Sequence, residues 1–262
     1  MDRNRLVVGY NVAGICSRLK CLFSAMRMSD NYRIIWDTNR NLGCSFNELF
    51  ENEISLENTF HTAKNVREKF GDNCYFSWRF LVLPEDNIDY KRIDFMFNNT
   101  PDVMRKIYLE KIKILKPVKY VRDQVKRFSK NFDNKTVSVS IRSWVYKYVT
   151  EKVRAKSFNL NNFIEAMDKI KNDTSIFFVT SDSDEIIEEL KNIFPNKIIS
   201  FPNRTPRNDL RSHAVERGQD MLIDLFLGGK NKRFIVSVPS AYTELQWWFG
   251  GCLSYVTKIK AF

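Results

Sequence analysis

The sequence is poor in the residues that build metal sites and disulfide frameworks. Its 262 residues include 5 cysteines and 2 histidines, and no two cysteines form a C-x-x-C pair. An odd number of scattered cysteines favours reduced thiols and argues against both a zinc site and a disulfide framework. We therefore expect a protein with no metal ion and no cofactor.

Long apolar runs are also missing from the chain. No stretch approaches the roughly 20 apolar residues that a membrane-spanning helix needs, and the start, M-D-R-N-R-L-V-V-G, has no signal-peptide core. The 44% of hydrophobic and 14% of aromatic residues are nevertheless typical of a folded globular protein. These features predict a cytoplasmic protein without a membrane span.

Positive charge is what the sequence has in excess. There are 42 Lys and Arg residues against 31 Asp and Glu residues, which gives a net charge of +11. Such a balance suggests an anionic partner, which could be a nucleic acid, a membrane surface or a phosphorylated small molecule. The basic residues are densest at 105–130, where their helical spacing also fits the solvated face of amphipathic helices. A basic nucleic-acid-binding protein is therefore the alternative outside the enzymes.

Strands and helices alternate in both halves of the sequence. In the first half, a strand at 5–9 leads through a glycine-bearing turn into a helix, and a second strand at 33–37 completes a parallel βαβ unit. Ser45 and Glu48 have capping-box spacing, which predicts a short helix. The polar segment 129–135 interrupts the apolar periodicity. We therefore predict two Rossmann-like domains, at residues 1–130 and 131–262.

The second half contains the most informative strand, V-S-V-S-I-R-S-W at 137–144. Its β-branched residues alternate with Ser138, Ser140 and Arg142, which is the two-residue period of a strand. Ligands of open α/β sheets bind at the carboxyl edge, and the planar fork of an arginine matches phosphate oxygens. The pattern places Arg142 at that edge as a candidate phosphate ligand.

Three sets of motifs resemble one family of enzymes. G-I-C-S-R-L at 14–19 is similar to an amino-terminal G-x-x-x-R-L loop, and V-S-V-S-I-R-S-W to a strand ending in H-x-R-R. F-F-V-T-S-D, Q-D-M-L-I-D-L-F-L and F-I-V-S-V-P-S-A-Y-T resemble three later elements in the same order. Together they resemble the fucosyltransferase superfamily of GT-B glycosyltransferases, with its nodulation, core α1,6- and protein O-fucosyltransferases. The resemblance implies an α/β, GT-B-like fold of two Rossmann-like domains facing across a cleft.

The resemblance also implies an activity. It predicts an inverting, metal-independent glycosyltransferase that moves a sugar, in the first instance fucose from GDP-fucose, onto a glycan hydroxyl. The first domain would mostly bind the acceptor and the second the donor, with no nucleic acid involved. The same fold with another nucleotide sugar, such as UDP-xylose, is an alternative.

Roles in donor binding follow from the matched motifs. Arg142 falls on the family arginine that holds the donor diphosphate, and Asp182 on the acidic residue that contacts the donor nucleotide. Ser240 and Ala241 fall in a small-hydroxyl turn near the phosphates. Gly14 and Arg18 fall in the first-domain loop that lines the cleft, and Ser140 and Ser143 replace the family's histidine and second arginine.

Catalysis of glycosyl transfer needs a stabilised leaving group and a base. Because negative charge grows on the departing diphosphate, a fixed cation such as Arg142 accelerates its departure. The candidates for the base that takes the acceptor proton are Glu151, in the loop after Arg142, and Asp37, at the end of the second strand.

Asp182 and Asp184 also form a D-x-D sequence. In GT-A glycosyltransferases this motif binds a divalent ion at the donor diphosphate. That alternative predicts a metal-dependent enzyme with a single nucleotide-binding domain, whereas the βα units in both halves favour the GT-B architecture.

Overall fold

A computed structural model of the chain describes residues 3–38, 42–56, 62–143, 158–207 and 215–260. The chain divides into two compact units. The first unit comprises residues 1–119 together with 213–219, and the second comprises residues 120–212 together with 220–262. No helix in the described ranges is long and apolar enough to cross a membrane.

The first unit is organised around a small parallel sheet. Its elements are β1 (Val7–Tyr10), α1 (Ile15–Met28), β2 (Tyr32–Ile35), β3 (Ser55–Leu56), α2 (Ala63–Phe70), β4 (Cys74–Tyr75) and α3 (Asp102–Ile114). The strand order is β3-β2-β1-β4, and every pairing is parallel.

The predicted βαβ unit at the start of the chain is confirmed. Strand β1 pairs in parallel with β2, and α1 connects them. Strand β1 packs against this helix at Gly9, where an added Cβ would meet the Cys21 sulfur at 3.4 Å and the Ala25 Cβ at 3.6 Å, which are ordinary contact distances. Nearly every residue of α1 is buried, so this helix forms the centre of the first unit.

The second unit contains a larger parallel sheet. Its elements are α4 (Lys119–Phe128), β5 (Val137–Ile141), α5 (Leu160–Asp168), β6 (Phe177–Ser181), α6 (Asp184–Ile193), β7 (Ile198–Ile199), α7 (Val215–Gly228), β8 (Arg233–Val238), α8 (Ala241–Phe249) and β9 (Tyr255–Lys260). The strand order is β7-β6-β5-β8-β9. The first residues of α7, up to Gln219, belong to the first unit.

Strand β5 lies at the centre of this sheet, and its two faces meet different helices. Val137, Val139 and Ile141 pack in one apolar cluster with side chains of α5 and α6. On the opposite face, the hydroxyl of Ser138 accepts a hydrogen bond of 2.9 Å from the amide of Asn231. Because side chains alternate along a strand, this second face is the one that continues towards Arg142.

The boundary between the two compact units lies at the start of α4, between residues 119 and 120. The sequence predicts this boundary after residue 130. Phe50 forms an antiparallel bridge with Pro117, which holds the end of the α3 segment in the first unit. The side chain of Phe128 packs against Phe178 and Phe201, at ring distances of 5.7 and 5.5 Å. Helix α4 is therefore part of the second unit's core. The assignment of acceptor and donor roles to the two domains stays a prediction.

The short helix predicted after Ser45 is wrong, although one of the two capping-box contacts is present. The Ser45 backbone N–H and hydroxyl donate to Glu48 Oε2 at 2.6 and 2.8 Å. The chain makes a single turn, and Phe50 then enters its bridge with Pro117 instead of continuing a helix.

Candidate functional site

Arg142 and Asp182 meet at the carboxyl edge of the second unit's sheet. Arg142 Nη1 donates to Asp182 Oδ2 over 2.7 Å, with side-chain exposures of 21% and 10%. The Ser143 backbone N–H and the Ser143 hydroxyl each donate to Asp182 Oδ1 over 2.8 Å. The carboxylate therefore accepts hydrogen bonds from both residues that follow β5.

The register of the sheet explains this meeting. Ile141 is paired with Ser181 in the parallel ladder between β5 and β6. The next residue of each strand is Arg142 or Asp182, so the two side chains emerge at the same level. On the other side of β5, the Arg142 backbone N–H donates to the hydroxyl of Ser237 in β8 over 2.7 Å. Both neighbouring strands thus fix the chain around Arg142.

Helix α8 begins at the same edge, directly after β8. Ser240 is its N-cap residue, and its hydroxyl accepts a hydrogen bond of 3.4 Å from the Thr243 backbone N–H. The Thr243 hydroxyl donates to the Ser237 carbonyl over 2.9 Å, which links the helix start to β8. Ala241 is the first helical residue. The unpaired N–H groups of a first turn, together with the helix dipole, favour an anion at this position.

The structure does not bring Ser140 to that edge. Its side chain is buried inside the sheet, where β5 lies between Thr180 on β6 and Val236 on β8. The hydroxyl of Thr180 is occupied by a hydrogen bond of 3.0 Å from the Gln246 amide. The contact between Ser140 and a donor stays a prediction.

In the first unit, Arg18 is enclosed by the loop that follows β1. Its side chain is fully buried, with Nε donating to the Ala13 carbonyl over 2.7 Å and Nη1 donating to the Asp37 carbonyl. The guanidinium lies 5.3 Å from the ring centre of Trp36. Burial lowers the pKa of Arg18 to about 10, while the Asp37 carboxylate opposes that shift. Arg18 thus ties the loop after β1 to the end of β2.

Gly14 and Asp37 flank this arginine. Gly14 is the residue before α1, and a Cβ placed there would have no neighbour within 4 Å, so the local fold does not require glycine. Asp37 is buried and follows β2, as the sequence predicted for a residue at that strand's end. The second candidate base, Glu151, lies outside the described residues.

Asp184 contacts a different arginine from Asp182. The Arg207 guanidinium donates to Asp184 Oδ1 over 2.7 Å, and the Arg207 backbone N–H donates to Oδ2 over 3.0 Å. Both carboxylates of the D-x-D sequence are therefore neutralised, each by its own arginine. Within the described ranges, no group of three or more His, Cys, Asp or Glu side chains is placed to hold a metal ion. A divalent ion at the D-x-D sequence would therefore have to compete with two arginines.

A buried Arg–Asp cluster was missed by sequence reasoning. Arg207 Nη2 donates to the Phe201 carbonyl over 2.6 Å and lies 3.9 Å from Asp224 Oδ2. Arg204 pairs with the buried carboxylate of Asp220, through Nη2 at 2.8 Å and Nε at 2.9 Å. These two arginines hold the segment 201–207 against α7. A signal for the cluster was present, since Asp220 and Asp224 are four residues apart on one helix face, in a stretch at 220–227 that is otherwise apolar.

Comparison with solved structures identifies the fold. The fucosyltransferase NodZ from Bradyrhizobium aligns over 93% of this chain and 92% of its own, with 13% identity and a TM-score of 0.58. FUT1 of Arabidopsis thaliana in complex with GDP aligns over 97% of this chain and 70% of its own, with 12% identity and a TM-score of 0.60. POFUT1 in complex with GDP-fucose aligns over 99% and 98%, with 10% identity and a TM-score of 0.50. NodZ has also been co-crystallized with GDP and soaked with GDP-fucose.

Sequence comparison adds nothing to this result, since no family model and no curated protein sequence matches the chain. At identities of this size, structural likeness establishes the fold. The fold is that of the fucosyltransferases NodZ and FUT1, so the predicted fold class and the predicted likeness to fucosyltransferase structures are confirmed.

Proposed function

We propose that this protein is a glycosyltransferase that moves fucose from GDP-fucose onto a hydroxyl group of a glycan. The fold supports the class of reaction, and the structures of similar fold include complexes with GDP and GDP-fucose. The observation that carries the proposal is the position of Arg142. Its partly exposed guanidinium stands at the carboxyl edge of the central strand, beside the strand that leads into α8.

The chemistry of transfer accounts for this arrangement. The bond between the anomeric carbon and the diphosphate oxygen breaks, and the acceptor oxygen forms the new bond to that carbon. The leaving diphosphate gains negative charge, which a preorganised arginine and helix N–H groups stabilise. Arg142 would contact the diphosphate, with Ser240 and Ala241 presenting the first turn of α8 to the same group. The contact between Asp182 and the donor nucleotide, which the resemblance implies, is not part of this proposal.

Metal independence is part of the proposal. A diphosphate leaving group needs a cation beside it, and a permanently charged arginine supplies one without a metal ion. The pairing of Asp182 with Arg142 and of Asp184 with Arg207 supports this assignment, because a divalent ion would have to displace both arginines.

Inversion at the anomeric carbon is also part of the proposal. A single displacement requires one base that removes the acceptor proton as the new bond forms. Asp37 is our candidate among the described residues, because it follows a parallel strand at the edge where ligands of such sheets bind. Glu151 is the second candidate. The contacts of Gly14 and Arg18 with the donor stay predictions, and Arg18 also ties the loop after β1 to the end of β2.

The test is thermal melting with nucleotide sugars and their nucleotides, in the presence and absence of EDTA, followed by a transfer assay. A ligand at about 100 times its dissociation constant adds about 2.7 kcal/mol of stability, which raises Tm by about 5 °C for a chain of this size. We expect GDP and GDP-fucose to produce the shift despite EDTA. Arg142→Ala should abolish it.

Arg233→Ala is the matched control, because Arg233 is exposed at the amino end of β8, away from the candidate site. A Tm shift with uridine nucleotides alone would show that the donor is a uridine diphosphate sugar and not GDP-fucose. A shift that depends on a divalent ion would restore the D-x-D alternative. Stabilisation by oligonucleotides alone would contradict the proposal and favour the basic nucleic-acid-binding protein.

A further inference from the structure

We infer that Asp182 and Ser143 are positioning residues for Arg142, and that Asp182 does not read the donor nucleotide. The inference rests on the proposed function, because it concerns how the site holds the diphosphate. It assigns Asp182 a different role from the one that the family resemblance implies.

The hydrogen bonds of Asp182 leave little capacity for a ligand. An ionised carboxylate offers about four lone-pair directions. At least three are used within the protein, by the Ser143 N–H, the Ser143 hydroxyl and Arg142 Nη1. The side chain is 10% exposed. A nucleotide base or ribose would have to compete with these short, partly buried hydrogen bonds.

Ser143 fixes the orientation of that carboxylate. The residue is fully buried, and its two donors both reach Asp182 Oδ1. Two bonds from one rigid residue hold the carboxylate so that Oδ2 faces Arg142. The corresponding family position is a second arginine, whose positive charge and bidentate fork a serine cannot supply. In this chain the position acts on Asp182 instead.

Arg142 is thereby held at both ends. Its backbone N–H is fixed by Ser237 on one neighbouring strand, and its Nη1 by Asp182 on the other. Among the described residues, Asp182 is the sole hydrogen-bond partner of the guanidinium. The remaining N–H groups of the fork, on Nε and Nη2, are available to phosphate oxygens.

This arrangement has opposite consequences for binding and for turnover. The negative charge of Asp182 lies beside the place where the diphosphate would sit, so it weakens ground-state binding. It also fixes the arginine in the orientation that the transition state uses, and catalysis depends steeply on such placement. A residue that reads the nucleotide would instead strengthen ground-state binding.

The experiment compares Kd for GDP with kcat for fucose transfer in Asp182→Ala, Asp182→Asn, Ser143→Ala and Ser143→Thr. For Asp182→Ala we expect Kd for GDP to stay the same or fall, while kcat drops about 10- to 100-fold. Ser143→Ala should lower kcat in the same way but less, and Ser143→Thr should restore it, because threonine keeps the hydroxyl. If Asp182→Asn weakens GDP binding tenfold but leaves pyrophosphate binding unchanged, Asp182 reads the nucleotide and the inference is wrong.

Ser175→Ala is the matched control. The Ser175 hydroxyl donates to Asp133 Oδ1 over 2.7 Å, which is the same kind of contact at the amino edge of the sheet, at the other end of the strands from Arg142. We expect this variant to keep the kinetics of the unaltered protein.

A second readout needs no donor. The rate at which phenylglyoxal modifies Arg142, mapped by mass spectrometry, reports how firmly the guanidinium is held. We expect faster modification in Asp182→Ala and Ser143→Ala, and no change in Ser175→Ala. If the unaltered protein binds no GDP, the proposed function fails, and this rate still tests the positioning. An unchanged rate in both site variants would overturn the inference.

Discussion

The buried carboxylate of Asp224 predicts an unusual pH dependence of stability. Asp224 lies in α7, and its pKa is raised to about 7 because burial disfavours the charged form. The nearby Arg207 opposes this shift, while the carboxylates of Asp220 and Asp184 add to it. The perturbation that tests this reasoning is Asp224→Asn, which keeps the shape of the side chain and removes its titration.

The sign follows from where the proton is held more tightly. The folded state binds the Asp224 proton up to a pH of about 7, whereas the unfolded chain releases it near the ordinary value of 3.8. The favourable contribution of this group is therefore complete below pH 4 and is lost as the pH rises to about 7. A difference of about 3 pKa units corresponds to about 4 kcal/mol, so Asp224→Asn should be more stable than the unaltered protein at pH 8 by up to that amount.

The assay is urea unfolding of both proteins at a series of pH values between 4 and 9, with tryptophan fluorescence as the signal that monitors unfolding. Only the difference between the two proteins is interpreted, because other titrating groups cancel in it. Asp220→Asn is the contrasting variant on the same helix. It breaks the pairing with Arg204, so we expect it to lower stability at pH 8 by about 1 to 3 kcal/mol. A pH-independent difference for Asp224→Asn, or a loss of stability at pH 8, would refute the reasoning.

Two further predictions concern packing and thiol chemistry. In Gly229→Ala, the new Cβ would lie 1.9 Å from the Gln246 carbonyl oxygen, so we expect the free energy of unfolding in urea to fall by at least about 3 kcal/mol. Gly14→Ala is the control and should change stability little, because a Cβ there has no neighbour within 4 Å. Similar losses of stability in both variants would contradict the packing around Gly229. Burial raises the pKa of the Cys21 and Cys44 thiols to about 12. Ellman's reagent at pH 8 should therefore leave both unmodified until urea unfolds the protein, and rapid labelling of the folded protein would show that they are accessible.

Local periodicity was sufficient to predict most of the second unit. The alternation of valine and serine in β5 predicted both the strand and the position of Arg142 at its end, and the structure has both. The strand has one β-branched face, packed against α5 and α6, and one serine face, whose Ser138 contacts a polar side chain, and this division is a property of the strand itself. Such signals are local and can be read from a single sequence.

Features that depend on the register between distant segments could not be predicted. The pairing of Arg142 with Asp182 follows from the alignment of Ile141 with Ser181, which no local pattern specifies. The contact between Arg207 and Asp224 likewise joins a loop to a helix through tertiary packing. Strand β9 was missed because it lies at an edge, where most of its side chains remain exposed and no apolar alternation develops.

The central position of β5 has a consequence for the motions of the site. Proteins open first at sheet edges, loops and termini, and the innermost strands separate only in the largest fluctuations. Arg142 follows a strand that is hydrogen-bonded along both sides, and its own amide is held by Ser237. The guanidinium is therefore anchored in the part of the unit that opens last. We therefore expect the backbone around Arg142 to keep its alignment during brief local openings of the sheet edges.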